Sequence, residues 1–269
     1  MVLVNMYTLL SKDNFRRHFE LTKDYVVEGL LLSGAWDLGS TDNHLPYLRN
    51  TLDSLDVKYE IKKFEQINAG HLHEITIDNK YYWFVPVMGT AVMSIYAHIA
   101  SILGSRKNIL IGVVGGLAEG IKPGDFVLPK KVFGNDNALK YQPQNKDKFF
   151  YPDKKLYKKL LQRLPSGVKI WEGKTITCEV MLAESPGDVK QWSKENYLGV
   201  EMEAAMVFAL SNHFKIPSAA IFSVSDNLIE NETLLHESHQ LSQSQRRKAR
   251  SIQYDIAIRE LLDMPAYNL

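Results

Sequence analysis

The chain has one cysteine, Cys178, in 269 residues. An internal disulfide framework is excluded, as is a cysteine-built metal centre, and a reducing compartment is favoured. Neither charge sign is in excess: 32 Lys and Arg face 31 Asp and Glu, and a net charge of +1 gives no field to hold nucleic acid. Long hydrophobic runs are missing too. The longest, such as Ile109–Val114, have strand length, against the roughly 20 apolar residues of a membrane-spanning helix. The apolar start Met1–Tyr7 is soon followed by Lys12, Arg16 and Arg17, so no signal peptide is expected. His71, His73 and His98 lack carboxylate or cysteine neighbours at ligand spacing, so no metal is expected. Repeats, low-complexity tracts and Pro/Gly/Ser-rich linkers are also absent. The expectation is one cytoplasmic domain over residues 1–269, with no membrane and no nucleic-acid partner.

What is present is ordinary globular material, 45% hydrophobic and 23% charged. Short apolar runs alternate with helical patterns, which predicts an α/β fold. Strands are expected at Glu28–Ser33, Val57–Phe64, His71–Ile77, Lys80–Val87, Asn108–Val114, Asp125–Phe133, Lys169–Val180 and Ser218–Ser225. Helices are expected at Asp13–Tyr25, Leu45–Leu55, Ala91–Leu103, Asp153–Leu164, Asp188–Glu195, Glu201–His213 and Ser242–Leu262. The polar stretch Gly134–Tyr151 reads as a long loop, either a lid or a plain surface excursion. Ile109–Val114 and Ala219–Val224 are nearly continuous in apolar residues, as strands buried on both faces are. Sites in such folds lie beyond the carboxyl ends of central strands. One of these runs ends in a glycine-rich turn and the other in Ser225-Asp226.

Three motifs carry candidate chemistry. Gly112-Val113-Val114-Gly115-Gly116-Leu117 lets backbone turn tightly or approach a ligand; its spacing is not a dinucleotide fingerprint, and alone it reads as a structural turn. In Gly199-Val200-Glu201-Met202-Glu203-Ala204-Ala205, Glu201 reads as an ordinary acidic first turn of a helix. Glu203, among Met202, Ala204, Ala205 and Met206, needs a partner, and a vicinal diol would serve because a carboxylate accepts both hydroxyl hydrogens. Asp226, in Ser223-Val224-Ser225-Asp226-Asn227, is either a turn residue or a general acid at a strand mouth.

Together the motifs resemble those of hexameric purine nucleoside phosphorylases, uridine phosphorylases, methylthioadenosine nucleosidases and AMP nucleosidases. The resemblance runs from about Val85 to Asn227, more loosely from Gly29 to the C-terminus, and is nearest in layout to short AMP nucleosidases. Its specific parts are Val200–Ala204 (V-E-M-E-A), Ser225-Asp226, Gly115–Pro129 (GGLAEGIKPGDFVLP), and Met88-Gly89-Thr90 followed by Ser94-Ile95-Tyr96. The resemblance implies a three-layer α/β/α domain around a mixed, partly barrel-like sheet. It implies cleavage of an N-glycosidic bond in a purine nucleoside or nucleotide, without a cofactor, by a homo-oligomer. Glu203 would bind the ribose hydroxyls, with Met202, Glu201 and Met88 on the sugar side. Met181 would lie near the base, with Ser225 and Gly115 completing the substrate contacts. Asp226 would protonate or hydrogen-bond the base nitrogen as the bond breaks, a role worth roughly 10²–10⁴-fold. Its presence points to a purine.

The chain departs from this pattern where phosphate should bind. An arginine and a serine of the phosphorylases are matched here by Leu110 and Val113. The early loop Gly34-Ala35-Trp36-Asp37-Leu38 lacks the family's arginine. A phosphate dianion needs charge-assisted donors. Gly34, Gly112 and Val113 are therefore expected to frame a water site, with Asp37, or else Asp42, activating the water. Hydrolysis is expected; phosphorolysis, with phosphate as co-substrate, is the alternative, and an inactive nucleoside-binding protein a third. Apolar Met181 and Leu182 stand where several relatives carry aromatics. The run Arg246-Arg247-Lys248-Ala249-Arg250 reads as a solvated helix face, and Trp36 as packing or interface.

Overall fold

A computed structural model describes residues 10–34, 44–65, 71–230 and 242–265. Trp36, Asp37 and Asp42 lie outside the described residues. The described strands form one ten-stranded mixed sheet: β1 (Val27–Gly34), β2 (Tyr59–Lys63), β3 (His73–Ile77), β4 (Lys80–Val87), β5 (Asn108–Gly116), β6 (Phe126–Phe133), β7 (Phe149–Phe150), β8 (Ile170–Thr177), β9 (Tyr197–Glu201) and β10 (Ser218–Asn227). Strands β10, β6, β8, β9 and β5 are neighbours in that order, and β10 also pairs with β5, so these five close into a ring. From β5 the sheet continues outwards as β1, β4, β3 and β2.

Two helical layers cover this sheet. Helices α3 (Thr90–Leu103) and α7 (Ala204–His213) pack together on one face, with α1 (Lys12–His18) against α3. On the other, α8 (Gln243–Leu261) packs against α2 (Leu45–Ser54) and α5 (Lys154–Gln162). Leu30 and Leu32 of β1 belong to the first core and Leu31 to the second, as the two-residue period of a strand requires. Because both faces are covered, β10 is buried at every residue. Gln253 of α8 ties the layers: its Nε2 donates to the carbonyls of Gly112 (2.7 Å) and Ile221 (3.0 Å). Among the described residues, no helix is long and apolar enough to cross a membrane.

Several expected boundaries are corrected. Gly134–Tyr151 contains a short helix, α4 (Asp136–Leu139), capped by the Asn135 side chain, and β7, which pairs with the end of β6. Helix α1 ends at His18 instead of Tyr25, and Glu20 has left-handed backbone (φ 54°), which no helix continues through. The stretch before Glu203 is strand β9, and α7 begins only at Ala204. Tyr197–Glu201 is too short to show alternation; pairing with β8 and β5 makes it a strand.

Along one edge β5 changes partner. Residues 108–111 pair with β1, whereas Gly115 and Gly116 pair with β9. Between these points the wing and the ring separate, leaving an opening at the carboxyl ends of β1 and β5. A split of this kind is where open α/β sheets bind ligands.

Candidate active site

A cleft occupies that opening. The structure brings together in its wall Gly34, Met88, Val113, Gly115, Met181, Glu201, Met202, Glu203, Ser225 and Asp226, all singled out in the sequence. Gly112 is not in the wall: a Cβ there would stand 3.3 Å from the Gly34 carbonyl oxygen, so this glycine lets β1 approach β5. Leu110 points into the core shared with α3 and α7.

Glu203 sits at the junction of β9 and α7, buried to 4% exposure. The Gly89 amide donates to its Oε1 at 2.7 Å. Its Oε2 lies where a Cβ on Gly34 would be only 2.6 Å away, so the glycine at the end of β1 makes room for the carboxyl. Burial raises the Glu203 pKa, and the neighbouring Glu201 charge raises it further, against the Gly89 bond. A second ligand donor on this carboxyl would offset that cost.

Glu201 has a different task from the one its neighbour's chemistry suggests. Its Oε1 accepts from the Thr177 hydroxyl, and its Oε2 from the Glu203 and Ala204 amides at 2.7 and 2.6 Å. It thus caps α7, satisfying N–H groups that the helix itself cannot. Burial raises its pKa as well, opposed by these three donors. Thr177 relays the cap by accepting from the Ala205 amide at 3.0 Å. The expected acidic first turn is therefore a carboxyl at a strand end, reaching forward over the helix start.

Across the cleft, β10 presents Ser225 and Asp226, both buried. The Ser225 hydroxyl donates to Asp226 Oδ1 and also lies 3.1 Å from the Val114 carbonyl. Asp226 also acts electrostatically on Arg246 of α8: burial lowers the arginine's pKa, and the Asp226 charge opposes that. Arg246, read from sequence as part of a solvated face, is therefore half-buried and within electrostatic reach of this acid.

Glu184, Val200 and Leu228 line the cleft without having been foreseen. Glu184 follows the 3₁₀ turn Met181–Ala183 and precedes α6 (Pro186–Lys194). Its pKa is pushed up to about 7, first by burial and then by the charges of Asp226 and Asp188, against a hydrogen bond with the Cys178 thiol. An acid three residues beyond Met181, just before a Ser-Pro helix start, was the available signal.

No Lys, Arg or His is among the described residues that line the cleft, Gly34 and Val113 included. Residues 35–43, which continue from Gly34, contain none of these types either.

Known proteins share both fold and sequence with this chain. Uridine phosphorylase from Vibrio fischeri superposes with a TM-score of 0.70 at 13% identity, over 96% of this chain and 98% of that one. Purine nucleoside phosphorylase from Toxoplasma gondii, in complex with immucillin-H, gives 0.68 at 15% identity, over 91% and 96%. At such identities the likeness is one of fold. By sequence, a DeoD-type purine nucleoside phosphorylase of Clostridium beijerinckii is 28% identical over 163 residues, 58% of this chain and 66% of that protein. One from a Thermoanaerobacter species is 28% identical over 161 residues, again covering 66% of the relative. The chain thus spans just under two thirds of the length of these relatives. The family model described as the phosphorylase superfamily matches residues 39–257, well over half the chain, and the protein belongs to that superfamily.

Proposed function

We propose that the protein cleaves the N-glycosidic bond of a purine nucleoside or nucleotide, and that water is the attacking group. The observation that carries this reading is the convergence of two buried acids from different elements on one cleft, Glu203 at the junction of β9 and α7 and Asp226 near the end of β10. In this reading a sugar diol lies at the first and a base at the second. Met88 and Met202 supply apolar contact for the sugar, and Met181 and Leu228 for the base. As C1′–N9 breaks, positive charge grows on the sugar and the electron pair passes to the base. Glu203 would stabilise the first through the hydroxyls, and Asp226 with Ser225 would hold the second.

Hydrolysis is favoured by the lack of Lys, Arg or His among the described residues lining the cleft, since a phosphate dianion needs charge-assisted donors. Asp37, in the segment continuing from β1, remains the proposed water-activating base. The names of the sequence relatives favour the second reading, phosphorolysis with inorganic phosphate as co-substrate. Self-association, expected from the resemblance, is supported by exposed apolar side chains at Met88, Val92 and Ile95 and at Val180 and Leu182. A cytoplasmic setting and the absence of a cofactor remain part of this proposal.

The test is incubation with adenosine, inosine and AMP, with and without phosphate, followed by product analysis. Free ribose, or ribose 5-phosphate from AMP, released at a phosphate-independent rate is expected. Phosphate-dependent ribose 1-phosphate would replace hydrolysis by phosphorolysis. No release of base, with ligands still raising the melting temperature, would make the protein a binder.

A further inference from the structure

Of the acids lining the cleft, Glu184 is the one that the proposed roles leave unused. Glu201 has its oxygens engaged by Thr177 and two amides, and Glu203 is held by Gly89. Asp226 receives the Ser225 hydroxyl and faces Arg246. Glu184 enters from another element, the turn before α6, yet lines the same cleft as Met181, Leu228 and Asp226. The groups acting on it are the Cys178 thiol, Asp188 of α6 and Asp226 of β10, and no cation is among them. Two carboxyl groups that feel each other's charge tend to hold a proton between them. Here the less anchored of the two borders the space assigned to the base.

We propose that Glu184 is the proton donor to the leaving base, working as a pair with Asp226, which positions that base. This rests on the N-glycosidic reading above and adds a participant to it. The step balances as follows in hydrolysis. The C1′–N9 bond breaks and its electron pair stays with the purine. The Glu184 carboxyl proton passes to a purine nitrogen, so the base departs neutral. Water forms the new C1′–O bond and gives up a proton to the water-activating base and thence to solvent, and solvent reprotonates Glu184. If phosphate attacks instead, the donor's part is unchanged.

The arrangement predicts a pH limb. A donor must be protonated, and burial together with neighbouring acids keeps the Glu184 proton up to a pH of about 7, so turnover should fall as pH rises through that value. Asp188 is exposed and Cys178 carries no charge as a thiol; Asp226 is the charged neighbour that also lines the cleft.

The deciding experiment compares Glu184→Gln with the unmodified protein on two substrates, adenosine and p-nitrophenyl β-ribofuranoside, whose phenolate leaves without a proton. The glutamine variant should lose about 10²-fold in kcat on adenosine and less than threefold on the nitrophenyl riboside, and its alkaline limb on adenosine should flatten. Glu184→Asp should recover part of the loss. Equal losses on both substrates would make Glu184 a packing or positioning residue and overturn the proposal. Unchanged adenosine turnover would overturn it as well. If the unmodified protein cleaves neither substrate, the N-glycosidic reading itself fails, a result distinct from either outcome for Glu184.

Discussion

At the proposed sugar end of the cleft the carboxyl groups are held largely by main-chain amides, whereas at the proposed base end they are held by side chains. Glu201 and Glu203 flank the junction of β9 and α7 and accept from the amides of Gly89, Glu203 and Ala204. Asp226 and Glu184 come from a strand end and a turn, and their neighbours are Ser225, Arg246 and Cys178. Main-chain donors cannot move without unravelling an element, so the sugar end is preorganised for one geometry. Side-chain neighbours can exchange protons and adjust, as a group that must donate and recover a proton requires. The difference supports the proposed division, with binding at one end and proton transfer at the other.

Removing the Glu203 charge should break this comparison most severely. Two charge-assisted bonds to a diol, at roughly 2 kcal/mol each, convert to a loss of about 10³-fold in kcat/KM for Glu203→Gln, read by steady-state kinetics. The same variant should be more heat-stable at alkaline pH. An acid whose pKa is raised by folding binds its proton more tightly in the native state. Stability therefore falls as pH rises from the ordinary value of 4.5 through the raised one. Glutamine removes that slope, and melting curves between pH 5 and pH 9 check it.

Asp226→Asn comes next, with kcat lower by about 10²-fold and an unchanged melting temperature. Retention of full activity would remove Asp226 from the chemistry. Gly34→Ala should sharpen the comparison, because its Cβ would meet Glu203 Oε2 at 2.6 Å and push a carboxyl that Gly89 pins. A loss of about tenfold in activity is expected, with little change in stability, since the displaced group is a side-chain tip. The smallest effect separates cap from ligand. Glu201→Ala should cost about 2–3 kcal/mol by leaving buried amides without an acceptor. Glu201→Gln, whose amide oxygen keeps the α7 cap and whose amino group can donate to Thr177, should cost under about 1 kcal/mol. Denaturant titration distinguishes them.

Much of this was legible in the residues themselves. Ile109–Val114 and Ala219–Val224 announce strands covered on both faces, and the structure buries them between two helical layers. The motifs around Glu203 and Asp226 lie far apart in sequence, yet each marks a strand's end. Glu184 and Arg246 were not legible, because a lone acid in a turn and an arginine in a basic run resemble any solvated surface. What sets them apart is burial and the field of Asp226, and both arise only when α6 and α8 dock.

By itself, then, the sequence determined the α/β alternation and the strands buried on both faces, because periodicity and apolar surroundings are local properties, while the layers and the pairing of Glu203 with Asp226 were legible only through the family resemblance. Tertiary structure decided that Glu201 caps a helix, that Gly112 is a contact between strands and not a lining residue, and that Glu184 joins the cleft. Those outcomes depend on the change of partner along β5, where β1 leaves and β9 arrives. Strand pairing is a long-range choice, made by the burial of whole faces, and single residues carry no record of it.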